Sequence, residues 1–217
     1  ATKSITSIQN TVSILDNIYA RSRTTANMAR DVGLLYCFNT YFDMGLDPSA
    51  LVFREDIRDQ SFKATAYNNK LKELVGKLDT KTKQSFFERD IRVFFSDYAN
   101  IPNSPDYEFM DTFDTVNAVV SKSLYLYVNY FEFGTKLGDA IDYLYGNLNN
   151  DFWIKSLYLP TVVLKDMDSK VDDILRDNNI AFISATIVLV AFALTLIIFI
   201  LKSFGDTKEF FSSDHQL

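Results

Sequence analysis

Ile180–Leu201 reads IAFISATIVLVAFALTLIIFIL, 22 residues without a charge, bounded by Asp177-Asn178-Asn179 on one side and Lys202 on the other. At 1.5 Å per residue a helix of this length rises about 33 Å, enough to cross a hydrocarbon core of roughly 30 Å. A core helix of a soluble domain normally keeps a polar face, and here only Ser184, Thr186 and Thr195 are polar. Backbone groups in lipid must be bonded internally, so the segment is predicted to be helical. It lies toward the C-terminal end of the sequence, not at the N-terminus where a signal peptide stands. The reading that follows is a domain over 1–179 outside the bilayer, a transmembrane helix over 180–201, and a polar tail over 202–217.

The composition of the domain narrows its class. Seven Gly and four Pro in 217 residues argue against a sandwich or barrel of many tight turns, and 19 Phe with 12 Tyr argue against disorder. A net charge of −6 carries no basic footprint for nucleic acid. The single Cys37 excludes an intrachain disulfide framework and a Cys-rich metal site, and the only His, His215, lies outside the domain. No P-loop, GxSxG, HExxH or GxGxxG is present, so no catalytic residue, cofactor or metal is expected, and the chain is not read as an enzyme.

Helical periodicity runs through the domain. A 4,3 alternation picks out Ile8, Val12, Leu15, Tyr19, Ser22, Ala26, Ala29, Gly33, Tyr36 and Thr40, then Gly45-Leu46-Asp47-Pro48 supplies a stop and a new start. A second seam follows from Phe53 through Ile57, Ala64, Leu71 and Leu78, falters over 76–84, and resumes to about Tyr98. The stretch 99–105, ANIPNSP, is a turn, and Ser104-Pro105-Asp106 opens a third seam from Phe109 to Leu144. The fourth takes Trp153, Leu157, Pro160, Leu164, Met167 and Val171, and no breaker separates it from the span; Pro160 is expected to kink it or shift its start. The expected fold is all-α: a long antiparallel up-down-up-down four-helix bundle whose last helix continues into the transmembrane helix.

Two groups of residues are candidates for function. In the first helix the seam turns small and polar around Ser22, and the aligned third seam turns to Tyr127 and Tyr130, which can leave a polar cavity. Arg21, Arg23 and Arg30 lie nearby with the charge to clamp an anionic small ligand. The plainer alternative is small-large packing under a solvated arginine face. Tyr125, Phe131, Tyr143 and Trp153 belong to an aromatic excess that one seam cannot use, which offers core packing or a partner surface.

A long bundle whose last helix runs into a membrane span resembles the extracytoplasmic sensory domains of transmembrane receptors, chemoreceptors and four-helix sensor kinases among them. The resemblance covers residues 1–202 and is architectural. It implies ligand or partner binding with a signal passed along the last helix, a homodimer or other helical membrane proteins as partners beside the lipid bilayer, and a further span ahead of Ala1. The tail KSFGDTKEFF departs from it, lacking the Pro that opens the coupling module of those receptors. Lys202 at the end of the span favours a cytoplasmic tail and an extracytoplasmic bundle, although basic residues stand on both sides. The alternative is a single-span tether or structural subunit of a membrane complex, acting through its helices.

Overall fold

The computed structural model describes residues 2–41, 47–95, 107–130 and 135–213. It is mostly helical: α1 (Thr2–Tyr41), α2 (Pro48–Val75), α3 (Thr80–Phe87), α4 (Thr112–Asn129), α5 (Thr135–Leu148) and α6 (Asp151–Ser213), with one antiparallel pair, β1 (Ile91–Phe94) and β2 (Tyr107–Met110), in register Ile91↔Met110 and Phe94↔Tyr107. It falls into two compact units, 1–168 and 169–217.

Local chemistry sets three of the helix starts. Asp47, Asp79 and Asp111 stand extended at the N-caps of α2, α3 and α4, and each carboxylate accepts from backbone N–H groups of the first turn. Pro48 follows Asp47 at a position where its missing N–H costs nothing.

The second helix breaks after Val75, where the seam was expected to falter, but it does not resume as one helix toward Tyr98. The short α3 follows, and then Ile91-Arg92-Val93 alternates buried, exposed, buried, which is strand period. The third helix likewise begins at Thr112, with Phe109 on β2 and 45% exposed, while Ser104-Pro105-Asp106 lies outside the described residues. It is also two helices. Lys122 on α4 sits 5.4 Å from the ring centroids of both Tyr125 and Tyr143, whereas one straight helix would hold residues 122 and 143 about 31 Å apart. The chain therefore folds back between α4 and α5. Pro160 lies inside α6 and does not shift its start.

In the first unit, Arg21 of α1 meets Asn68 of α2 and Phe38 meets Phe53, so these two helices run antiparallel. Asn68 meets Phe113 while Arg54 meets Tyr127, so α2 and α4 are antiparallel too. Two hydrophobic clusters result. One gathers Met28, Val32 and Leu35 with Ile57, Ala64, Val93, Val116, Leu126, Leu144 and Phe152. The other gathers Ile14, Ile18, Leu71, Leu74, Phe86, Phe113, Leu159 and Val163.

The buried face of α1 is Ile14, Ile18, Arg21, Thr25, Met28, Val32 and Leu35, rotated from the expected seam, whose Val12 and Tyr19 stand 45% and 57% exposed. On α6 the buried face is Phe152, Lys155, Ser156, Leu159, Pro160 and Val163, which keeps Pro160 of the expected seam inside and leaves Trp153, Leu157 and Leu164 outside. Both helices carry apolar residues on more than one face, and the core took the face that alternation did not select.

The second unit holds the remainder of α6, Ile180 to Ile200 included. Among the described residues α6 is the one helix long and apolar enough to cross a membrane, with an 18-residue window of mean hydropathy 2.8 and none of it buried.

Candidate functional site: an arginine layer between two cores

Arg21 is fully buried. Its neighbours along α1 explain this: Ile14 and Ile18 belong to one cluster and Met28 to the other, so Arg21 is carried into the junction between them. There Nη1 donates to Asn68 Oδ1 at 2.9 Å and Nη2 donates to Thr112 Oγ1 at 2.8 Å. Asn68 Nδ2 in turn donates to the Phe113 carbonyl and to Asn117 Oδ1, both at 3.1 Å. The layer thus ties α1, α2 and the first turns of α4, and the Phe113 ring closes it with its centroid 5.7 Å from the guanidinium carbon.

Every direct acceptor of Arg21 is neutral. Burial lowers its pKa to about 10, against the opposing charge of Asp111, so it stays protonated at neutral pH. That shift corresponds to a net cost of roughly 3 kcal/mol for the charged form in the folded state, burial outweighing the attraction of Asp111. Thr112 is also the first residue of α4, whose N-terminal dipole is positive and repels a guanidinium; Asp111 at the N-cap offsets part of this. The hydrogen bonding is incomplete as well. Arg21 Nε, the neighbouring Ser22 Oγ, and Ser156 Oγ on α6 are buried with no hydrogen bond. Ser156 lies between Phe152 of the first cluster and Leu159 of the second, hence at the same boundary along its own helix.

The other residues expected at this site go elsewhere. Arg23 is exposed. Arg30 is exposed too and pairs with Asp31 at 2.7 Å, whose own side chain is fully buried. Burial raises the Asp31 pKa, Arg30 counteracts it, and Asp31 Oδ2 has no hydrogen bond. Tyr127 lies fifteen residues beyond Thr112 on α4, about 22 Å along the axis. It belongs to arginines that sequence periodicity did not single out. Arg54 Nε donates to the Tyr127 carbonyl at 3.0 Å with its guanidinium 4.0 Å from the ring centroid, and Arg58 donates to the Tyr127 hydroxyl at 3.1 Å. Glu55 pairs with both arginines. Tyr130 is buried, which raises its pKa against the pull of Arg54. Arg21, Arg23, Arg30 and Tyr127 therefore do not converge on one cavity. Two cross-links hold α2 to α4 instead, the Arg21 layer at one end and the Arg54–Arg58–Tyr127 cluster at the other.

Of the aromatic surface candidates, Tyr125 and Trp153 are 39% and 38% exposed, Tyr143 is buried under Lys122, and Phe131 lies outside the described residues. Tyr143 thus packs within the first unit. Among the described residues no group of three or more His, Cys, Asp or Glu side chains is arranged to hold a metal ion.

Asn68 was open to detection: it holds a core position, four residues after Ala64 and three before Leu71. A polar side chain on an apolar face marks a partner across the core. No family model, curated protein or solved structure matches this chain.

Proposed function

We propose that this chain is a membrane-anchored sensory domain in which α6 links a two-part helical core to a transmembrane segment. The observation that carries the proposal is that α6 contributes Phe152 to one cluster and Leu159 and Val163 to the other, and is also the helix bearing the uncovered apolar window. In this reading α1, α2 and α4 are three rods of an up-down-up-down bundle, and α5 with the start of α6 shares the fourth. The Arg21 layer is the weak plane between the clusters. With a desolvated cation and unmet hydrogen bonds, it lowers the free-energy gap to a second packing. A ligand or partner that favours one packing shifts the population, and α6 carries the displacement toward the bilayer. The bundle is assigned to the extracytoplasmic side and the tail to the cytoplasm.

The test is the distance between spin labels at Tyr19 and Leu164, both exposed, in the full chain with Cys37 replaced and held in lipid nanodiscs. Two populations whose ratio moves with small charged solutes, or with Arg21→Met, are expected. One distribution, identical in every sample, refutes the proposal.

A second reading has its own observation. Trp153, Ile154, Leu157 and Leu164 stand exposed on the outer side of α6, 38% to 66% accessible, and suit a helical partner in a membrane complex. In that case the distance distribution stays single and narrows when the partner is present.

A further inference from the structure

Beside the first two turns of α6 lies a cleft of about 350 Å³, lined by Asp90 and Ile91 from the start of β1 and by Asp151, Ile154, Lys155 and Tyr158 from α6. It lies outside the Arg21 layer and the Tyr127 cluster, and its volume falls at the lower end of small-molecule sites. Its chemistry is mixed. Lys155, only 6% exposed, donates to Asp90 at 2.6 Å and lies 3.8 Å from Glu88. Arg92 forks onto both oxygens of Asp151, at 2.6 and 3.1 Å.

These five groups do not balance. Glu88, Asp90 and Asp151 supply three negative charges, against two positive charges from Arg92 and Lys155. The surplus faces the cleft, because the Asp90 side chain is 43% exposed and Lys155 engages only one of its oxygens. A carboxylate oxygen accepts more than one donor, so Asp90 can receive a second cation without releasing Lys155. Part of the lining is aromatic. Tyr158 is 53% exposed, and its ring centroid is 5.9 Å from the Lys155 ammonium, so the ring already faces positive charge. Ile91 and Ile154 supply apolar surface.

We infer that this cleft binds a small organic monocation, an ammonium on an apolar or aromatic body, with its charge at Asp90 and its body against Tyr158 and Ile154. The inference goes beyond the proposed function: it names a ligand class for a site on α6, and binding there does not depend on whether α6 transmits a signal. Such a ligand touches β1 and α6 together and adds to the Arg92–Asp151 and Lys155–Asp90 ties between them.

The experiment is calorimetric titration of the full chain in zwitterionic-lipid nanodiscs with three probes of one shape: 2-phenylethylammonium, 2-phenylethanol and phenylacetate, each corrected against empty nanodiscs. Saturable binding of the ammonium alone is expected. It should weaken about tenfold in Asp90→Asn, the loss of one charge-assisted contact. Because that change also strips Lys155 of its close partner and can unsettle the fold, Tyr158→Leu is the second variant. It alters an exposed side chain and should weaken binding severalfold with the fold intact. Equal binding of the alcohol, preference for the carboxylate, no binding, or ammonium binding untouched by Tyr158→Leu would each overturn the inference. None of these results bears on the spin-label distances, so the two readings fail separately.

Discussion

Replacing Arg21 with Met tests whether the buried guanidinium is an unpaired charge. Met keeps an unbranched, flexible apolar stem of similar reach and removes the cation. The gain is the net cost of the charged form, roughly 3 kcal/mol from the shift of the Arg21 pKa to about 10. The loss is set by what Arg21 leaves behind. Asn68 Oδ1 loses its donor in a buried position, a cost of about 1–3 kcal/mol, while the Thr112 hydroxyl can turn to donate elsewhere. The two terms nearly cancel, so Arg21→Met should change unfolding free energy by no more than about 1–2 kcal/mol in either direction. Adding Asn68→Leu removes the stranded acceptor but also the Asn68 Nδ2 bonds to the Phe113 carbonyl and Asn117 Oδ1, so the double variant should be at least as stable as the parent, by about 0–2 kcal/mol. Urea unfolding of the full chain in nanodiscs, followed by far-ultraviolet circular dichroism, measures both. A loss above about 4 kcal/mol in the single variant would refute the reasoning, because that is the cost of breaking a pair with a buried anion.

Three further outcomes follow from the same packing. Asp31→Asn probes the carboxyl whose pKa burial raises: its stabilising contribution is full below the unfolded value of about 3.9 and fades as pH rises through the folded value. The parent should therefore lose stability relative to the variant as pH rises above about 4 in parallel urea titrations, and a constant difference would count against it. Leu159→Ala removes a fully buried side chain from the cluster that α6 shares with α1 and α2, and should cost about 2–5 kcal/mol in the same assay; a cost under 1 kcal/mol would place Leu159 outside the core. The span holds fifteen Ile, Leu, Val and Phe between 180 and 201, worth about −7 kcal/mol of insertion free energy at its centre. Leu189→Arg with Phe192→Arg adds about 5–7 kcal/mol, so alkaline extraction should release the double variant from membranes and leave the parent in the pellet.

Helical content was legible because apolar spacing repeats over several turns, and Asp47-Pro48 showed where α2 begins. The break after Val75 was legible as the faltering over 76–84, but the strand that follows it and the fold-back within the third segment were not, and the reasons are local. Ile91-Arg92-Val93-Phe94 is too short for its period-2 burial to stand out from a helical seam, and its strand character depends on pairing with Tyr107–Met110, thirteen or more residues away. The fold-back between α4 and α5 is a matter of tertiary contact, Lys122 with Tyr143, that no spacing records.

The choice of buried face reaches furthest, since it explains the site as well as the fold. On α1 the strongest apolar alternation ran through Val12 and Tyr19, yet the core took Ile14, Ile18 and Met28, and Arg21 lies on that face. Selecting a seam by hydrophobicity alone therefore set Arg21 beside the core as a solvated neighbour. On α6 the same choice put Leu159 and Val163 inside and left Trp153, Ile154, Leu157 and Tyr158 on the surface. A helix that is apolar on two faces can serve two environments at once, one packed and one open to a ligand or partner. Farther along the same helix the apolar character extends all round, which is the pattern a bilayer requires. The progression along α6 from one buried face to none is the physical basis for reading it as both a core element and an anchor.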